Sequence, residues 1–153
     1  MSESTVSRVI NFYSTTGEYG CFSNFSRHPI VLKGKRWATS EHYFQAQKFA
    51  GTEHEEEVRQ AKTPSIAAKE GRSRKRPLRR DWEKVKDTIM FEAVLAKFTQ
   101  HEDLREILLS TDPAKLVEHT ENDSYWGDGG DGSGKNMLGQ ILMKVRDQLR
   151  NQE

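Results

Sequence analysis

The chain has one cysteine, Cys21, and so lacks a partner for an intramolecular disulfide; a reducing compartment is expected. No apolar run approaches the roughly 18 residues that cross a bilayer, and the first residues lack the basic-then-apolar pattern of a secretory leader. A cytoplasmic protein with no membrane partner is the expectation. Charge of one sign is lacking too: 24 Lys and Arg against 23 Asp and Glu leave a net +1, so no global field draws in nucleic acid or an anionic membrane. The five histidines make no metal set, since His54 is followed by Glu55-Glu56-Glu57 without the second histidine of a zincin. There is no nucleophile elbow, and Cys21 has no recognisable catalytic context. Internal repeats and low-complexity tracts are also absent. What is present, 34% hydrophobic and 31% charged residues in a chain of 153, fits one soluble globular domain and is too short for two comfortable ones.

Residues 1–8 are polar and expected to fray, the folded domain should span 9–150, and 151–153 form a short tail. Val9 to Tyr13 is rich in β-branched and aromatic residues and reads as a strand. Ile30 to Leu32 and Lys35 to Trp37 read as a hairpin turning at Gly34. Between them, Tyr19, Phe22 and Phe25 crowd a loop that must dock on the core or line a pocket, and Ser23 and Asn24 within it are placed to bind something polar. Ser40 is a plausible N-cap for a helix ending near Gly51. Further helices are expected over Glu53 to Lys62, from Thr63-Pro64 to Gly71, from an Asp81 cap to Phe98, over Asp103 to Leu109, and from about Asn136 to Arg150. Leu116 to His119 reads as a short extended segment. The class is helix-rich α+β with a small sheet.

Chemistry is concentrated in three places. In the helix opening at Ser40, Glu41, Gln45 and Lys48 fall within about 60° of one another at 3.6 residues per turn. Phe44 and Phe49 flank this stripe, which suits a cleft wall; a charge pair on a solvated helix face is the plain alternative. The segment Asn122 to Asn136 holds five glycines and three aspartates and runs into the last helix. Such a loop suits an oxyanion, a phosphate or a ribose hydroxyl, with Asp123, Trp126, Gly127 and Asn136 as candidate binding residues; a plain flexible loop is the alternative. It is not a P-loop, because Asn136 stands where Ser or Thr is required, nor an EF-hand, because no Glu closes it. In the third place Trp82 is either a core anchor or a platform for a planar ring, with Arg72, Arg79 or Arg80 meeting a phosphate.

Taken together, INFYS (10–14), YGCFSNF (19–25), TSEHYFQAQKF (39–49), DWE (81–83), KF (97–98) and ENDSYWGDGGDGSGKNMLG (121–139) resemble the NADAR family, and within it the YbiA-like N-glycosidases. The resemblance runs from about residue 9 to residue 150 and implies a YbiA-like fold. It also implies hydrolysis of an N-glycosidic bond between ribose and a base-like amine, with no metal and no cofactor. Two substrate classes go with it: phosphoribosylamino-pyrimidine intermediates of riboflavin synthesis, and ADP-ribose attached to guanine, which makes ADP-ribosylated nucleic acid a second kind of partner. The resemblance places catalytic acids at Glu41 and Asp123, the aromatic at Trp82 and the lysine at Lys48. A non-catalytic ADP-ribose or nucleotide-binding module using the same loop and Trp82 is the competing reading. Extensive nucleic-acid binding through the basic stretch 72–80 is disfavoured by the net charge.

Overall fold

The computed structural model describes residues 8–152. The expected frayed N-terminus lies outside those residues except for Arg8, whose carbonyl accepts the Lys115 N–H at 3.1 Å. Glu153 of the expected tail also lies outside them. The class is α+β: among the described residues there are six α-helices and two two-stranded sheets. The chain gathers into two compact units, one formed by the N-terminal segment through Ser23 with Phe98 onward, the other by Asn24–Lys97.

In the first unit, β1 (Val9–Phe12) pairs in parallel with β4 (Lys115–Glu118), with Ile10 opposite Leu116 and Phe12 opposite Glu118. Ile10 and Phe12 are buried while Val9 is exposed, the alternation of a strand with one covered face. The aromatic loop docks inward. Phe22 stacks on Tyr19 at 5.4 Å and meets Phe12 and Phe98 edge-on at 5.7 and 5.9 Å. Helices α5 (Glu102–Ser110) and α6 (Met137–Arg150) complete the unit. Leu138, Ile141, Leu142, Val145 and Leu149 of α6 are buried at three- and four-residue steps. Gly139 lets α6 lie against β4, since a Cβ there would stand 2.1 Å from the Leu116 carbonyl oxygen.

The second unit opens with the hairpin of β2 (Ile30–Leu32) and β3 (Lys35–Trp37). Its turn residues Lys33 and Gly34 both have positive φ, 57° and 72°, as a two-residue turn matched to strand twist requires. Trp37 anchors it, fully buried, its indole N–H donated to the Leu32 carbonyl at 2.9 Å and its ring edge-on to Tyr43 at 5.1 Å. Helices α1 (Ser40–Ala46), α2 (Glu53–Arg59) and α3 (Pro64–Arg72) follow, and α4 (Trp82–Gln100) carries the chain from this unit into the other at Phe98.

Several boundaries differ from expectation, among them α2, which ends at Arg59 rather than Lys62, and α4, which runs past Phe98 to Gln100. Helix α1 is capped by Thr39, whose hydroxyl accepts the His42 N–H at 3.1 Å, rather than by Ser40. Thr39 has the extended backbone that an N-cap needs (φ −147°, ψ 165°), and Ser40 is already helical. The helix also tightens at Gln47 into a 3-10 turn, Gln47–Phe49, before Gly51 breaks it with φ +83°. Lys48 therefore leaves from a tighter turn than a continuous helix would give it. At the start of α4, the Asp81 carbonyl accepts the Lys84 and Val85 N–H groups, while its carboxylate grips Arg79 at 2.7 and 3.1 Å.

Candidate active site

The N-terminus of α1 is bolted down before any reactive group is reached. The Asn24 carbonyl accepts the Glu41 N–H at 3.2 Å, its side-chain oxygen accepts the Ser40 hydroxyl at 2.9 Å, and its amide N–H faces Met90 Sδ at 3.2 Å. Asn24, expected from sequence to bind something polar, is thus placed to hold the first turn of α1, where Ser40 and Glu41 lie. His42 is clamped from the opposite side. Its Nε2 donates to the Ala61 carbonyl at 2.9 Å, which leaves Nδ1 to accept the Thr39 hydroxyl at 2.8 Å. Burial holds His42 below its ordinary pKa, consistent with that neutral form.

From this base α1 and the 3-10 turn project Glu41, Gln45 and Lys48, all more than nine-tenths buried. The solvated-face alternative is thereby excluded for this stripe. Gln45 Nε2 donates to Glu41 Oε2 at 2.8 Å. Lys48 Nζ donates to the Gly71 carbonyl at 3.3 Å and sits 5.7 Å from the centre of the Trp82 indole. Burial is the main reason the Lys48 amine is brought down to about 8, assisted by the positive charges of Arg74, Arg72 and Lys86 and opposed by Glu41. An amine at that value is roughly one-tenth unprotonated at neutral pH, far more than an ordinary lysine, and to that extent able to act as a nucleophile.

Trp82 is buried, with Phe44 tilted against it at 5.1 Å, so its ring is both a core anchor and the surface beside the lysine. The basic stretch after α3 folds back on the 3-10 turn: the Arg79 N–H is donated to the Lys48 carbonyl at 3.0 Å and its guanidinium to the Gln47 carbonyl at 3.2 Å. Arg72, the last residue of α3, is exposed, and Arg74 Nη2 donates to the Gly71 carbonyl at 3.2 Å.

Ser23 and the glycine loop belong to the first unit. Ser23 is buried and donates its N–H to the Gly20 carbonyl at 3.2 Å. Asp123 Oδ1 accepts the N–H groups of Tyr125 and Trp126 at 2.9 and 2.8 Å, folding the loop into an Asx turn that sets the two rings edge-to-face at 4.9 Å. Gly127 is buried where a Cβ would come within 2.9 Å of the Asp123 and Glu118 carbonyl oxygens.

The oxyanion-binding expectation for this loop meets a physical obstacle. The N–H groups of Lys135, Asn136, Met137 and Leu138 are donated to the carbonyls of Ser124, Gly127, Tyr125 and Trp126 at 2.8 to 3.0 Å. The donors that would have cradled an anion at the start of α6 are spent on the loop itself. Asn136 has φ 55°, and its side chain behaves like a strand partner for β4, accepting the Glu118 N–H and donating to the Leu116 carbonyl, both at 2.9 Å.

Asp128 organises the rest of the loop. It accepts the N–H groups of Thr120 and Gly130 at 3.0 and 2.9 Å and meets His119 Nδ1 at 2.8 Å. The His119 hydrogen bond is the chief reason its carboxyl lies at about 2. Among the described residues no cluster of three or more His, Cys, Asp or Glu side chains is arranged to hold a metal ion, and no helix is long and apolar enough to cross a membrane.

Sequence reasoning passed over Gly71, read only as a helix terminator, and Arg74, submerged in a run of similar residues. Nothing in spacing alone marks Gly71. Asp128 is signalled by the Asp-Gly-Gly turn pattern that follows it.

The fold is α+β, and a buried carboxylate, amide, amine and indole are gathered on one short helical segment and its neighbours. The chain belongs to the NADAR family, whose domain matches residues 11–150. It is 60% identical over 141 residues to the N-glycosidase YbiA of Escherichia coli K12, covering 92% of this chain and 88% of that one. The NMR structure of E. coli YbiA superposes with a TM-score of 0.88 at 58% identity, covering 95% of this chain and 86% of that one. The N-glycosidase Npun_R5314 of Nostoc punctiforme is 50% identical over 146 residues, 94% of each chain. The riboflavin biosynthesis protein VVA0006 of Vibrio vulnificus is 40% identical over 92% of this chain, which spans 38% of that longer protein.

Proposed function

We propose that this protein is an N-glycosidase that hydrolyses the bond between a ribose and a base-like amine. The observation that carries the reading is the buried set on α1 and the turn after it: a carboxylate held by an amide, next to an amine brought down to about 8, beside an indole. The names of the relatives from E. coli and Nostoc support the same reaction class.

Breaking a ribosyl C–N bond develops positive charge at the anomeric carbon and negative charge on the departing nitrogen. A fixed carboxylate lowers the first cost, and a proton delivered to the nitrogen lowers the second. Glu41, in the first turn of α1, is assigned the role of base or cation stabiliser, because a helix N-terminus favours negative charge. Asp123 is assigned as the second carboxylate acting on the sugar, and its turn also holds Trp126 and Gly127 for binding. Lys48 offers a covalent route: its amine adds to C1 of the ring-opened glycosylamine, the base amine departs with a proton as the C1–N bond breaks and a lysine imine forms, and water then adds to that imine to release the sugar and restore the amine. Arg72 is assigned to a substrate phosphate, and Trp82 to the planar base. The remaining binding assignments fall on Ser23, Asn24 and Asn136; for Asn24 and Asn136 the hydrogen bonds already made favour a supporting role.

Identity to the Vibrio riboflavin biosynthesis protein favours phosphoribosylamino-pyrimidines as substrates, with ADP-ribosyl-guanine as the second class to try. The test is incubation of wild type, Glu41→Gln and Asp123→Asn with both substrate classes, with and without EDTA, reading free base and free sugar. Turnover by wild type, insensitive to chelator and reduced at least ~100-fold by Glu41→Gln, is expected. Ribosyl-ligand binding that survives Glu41→Gln and Lys48→Ala, with no product from any form, would instead establish the non-catalytic binding module.

A further inference from the structure

The Gln45 amide is held in an uneven state. Its Nε2 donates to Glu41 Oε2 at 2.8 Å, and because a carboxylate only accepts, that orientation of the amide is fixed. Its Oε1 is buried and has no hydrogen-bond partner among the described residues. That oxygen is pressed against Gly71 of α3: a Cβ at Gly71 would stand 2.0 Å from Gln45 Oε1 and 2.7 Å from its Cδ. Gly71 has φ outside the left-handed region, so backbone conformation does not demand glycine there; the neighbouring amide does. The carbonyl of the same Gly71 accepts the Lys48 ammonium at 3.3 Å.

A buried amide oxygen without a partner costs stability, and an unbranched apolar side chain would fit the slot without that cost. Retention of an amide is therefore explained by what its other end does. We infer that Gln45 is a positioning residue for the Glu41 carboxylate, and that Gly71 is glycine so that its Cα can back the Gln45 amide while its carbonyl fixes Lys48. One residue of α3 thus sets the aim of both reactive groups on α1 and the following turn. This rests on the N-glycosidase reading above, and it assigns to Gln45 and Gly71 roles that the reaction class alone does not specify.

The test compares wild type, Gln45→Met, Gly71→Ala and the double variant, measuring kcat, KM and thermal midpoint on whichever ribosyl substrate wild type cleaves. Gln45→Met is expected to fold with a midpoint at or above that of wild type while kcat falls about 10- to 100-fold with KM little changed, the loss expected of a misaimed group. Gly71→Ala should show a similar kcat loss, and the double variant no more than the larger single loss, because both act on the same amide. Full kcat in Gln45→Met, or additive losses in the double variant, overturns the inference while leaving the N-glycosidase reading intact. Wild type that cleaves nothing overturns the reading and the positioning role together. In either case the Gln45 side-chain amide signal in a 15N spectrum reports the bond directly: displacement by Glu41→Gln supports the contact, and no displacement removes its basis.

Discussion

Lys48 shows most plainly how a single residue trades stability against chemistry. Its amine titrates at about 8 rather than 10.5, chiefly because burial disfavours the charged form. A base whose folded value is lowered is less protonated in the folded than in the unfolded chain between those two values, so stability rises with pH across that window. At neutral pH the buried ammonium is a burden on the order of 3 kcal/mol. Lys48→Met is accordingly expected to stabilise the protein at neutral pH by about 1–3 kcal/mol in urea denaturation, with the gain shrinking as pH rises from about 8 to the ordinary lysine value of 10.5. Equal stabilities at neutral pH would show that the amine is better solvated than its surroundings indicate. The charge pattern of residues 41–48 was legible in the sequence; the burial that gives it chemical meaning was not, because it depends on α3 and the folded-back Arg79 segment, both distant along the chain.

At the scale of elements, caps and turns do the placing. Thr39→Ala should cost about 1–2 kcal/mol by removing the hydroxyl that caps α1, and it also frees His42 Nδ1 from its partner. A loss confined to Ser40→Ala, with Thr39→Ala neutral, would contradict this placement of the helix start. In the glycine loop the Asp128 carboxyl, lowered to about 2 from 3.8, contributes stability that is present above the ordinary value and lost as pH falls through about 2. The urea midpoint of wild type should therefore decline between those values more steeply than that of Asp128→Asn; parallel declines would assign acid sensitivity elsewhere. Element types were readable from turn chemistry and periodicity, the hairpin at Lys33-Gly34 most clearly. Unreadable was the destination of the α6 N–H groups: glycine content announces a loop that can approach a ligand, but the loop's own carbonyls reach those donors first.

At the scale of the molecule, a net charge of +1 supplies no long-range attraction, so the proposed function leaves a substrate phosphate to the local field in which Arg72, Arg74 and Lys86 act on Lys48. The α+β class followed from apolar patterning, whereas the division into two units did not, since β1 and β4 are separated by about a hundred residues and their pairing leaves no local trace. Family membership was carried by long separated motifs, which fix identity more firmly than any one catalytic residue does. The most direct measurement of the central claim, that the Glu41 carboxylate drives cleavage of a ribosyl C–N bond, is the release of free base under single-turnover conditions by wild type and Glu41→Gln. Rapid release by wild type and a rate at least ~100-fold lower in a folded, ligand-binding Glu41→Gln is the predicted result; equal rates in the two proteins would contradict the account.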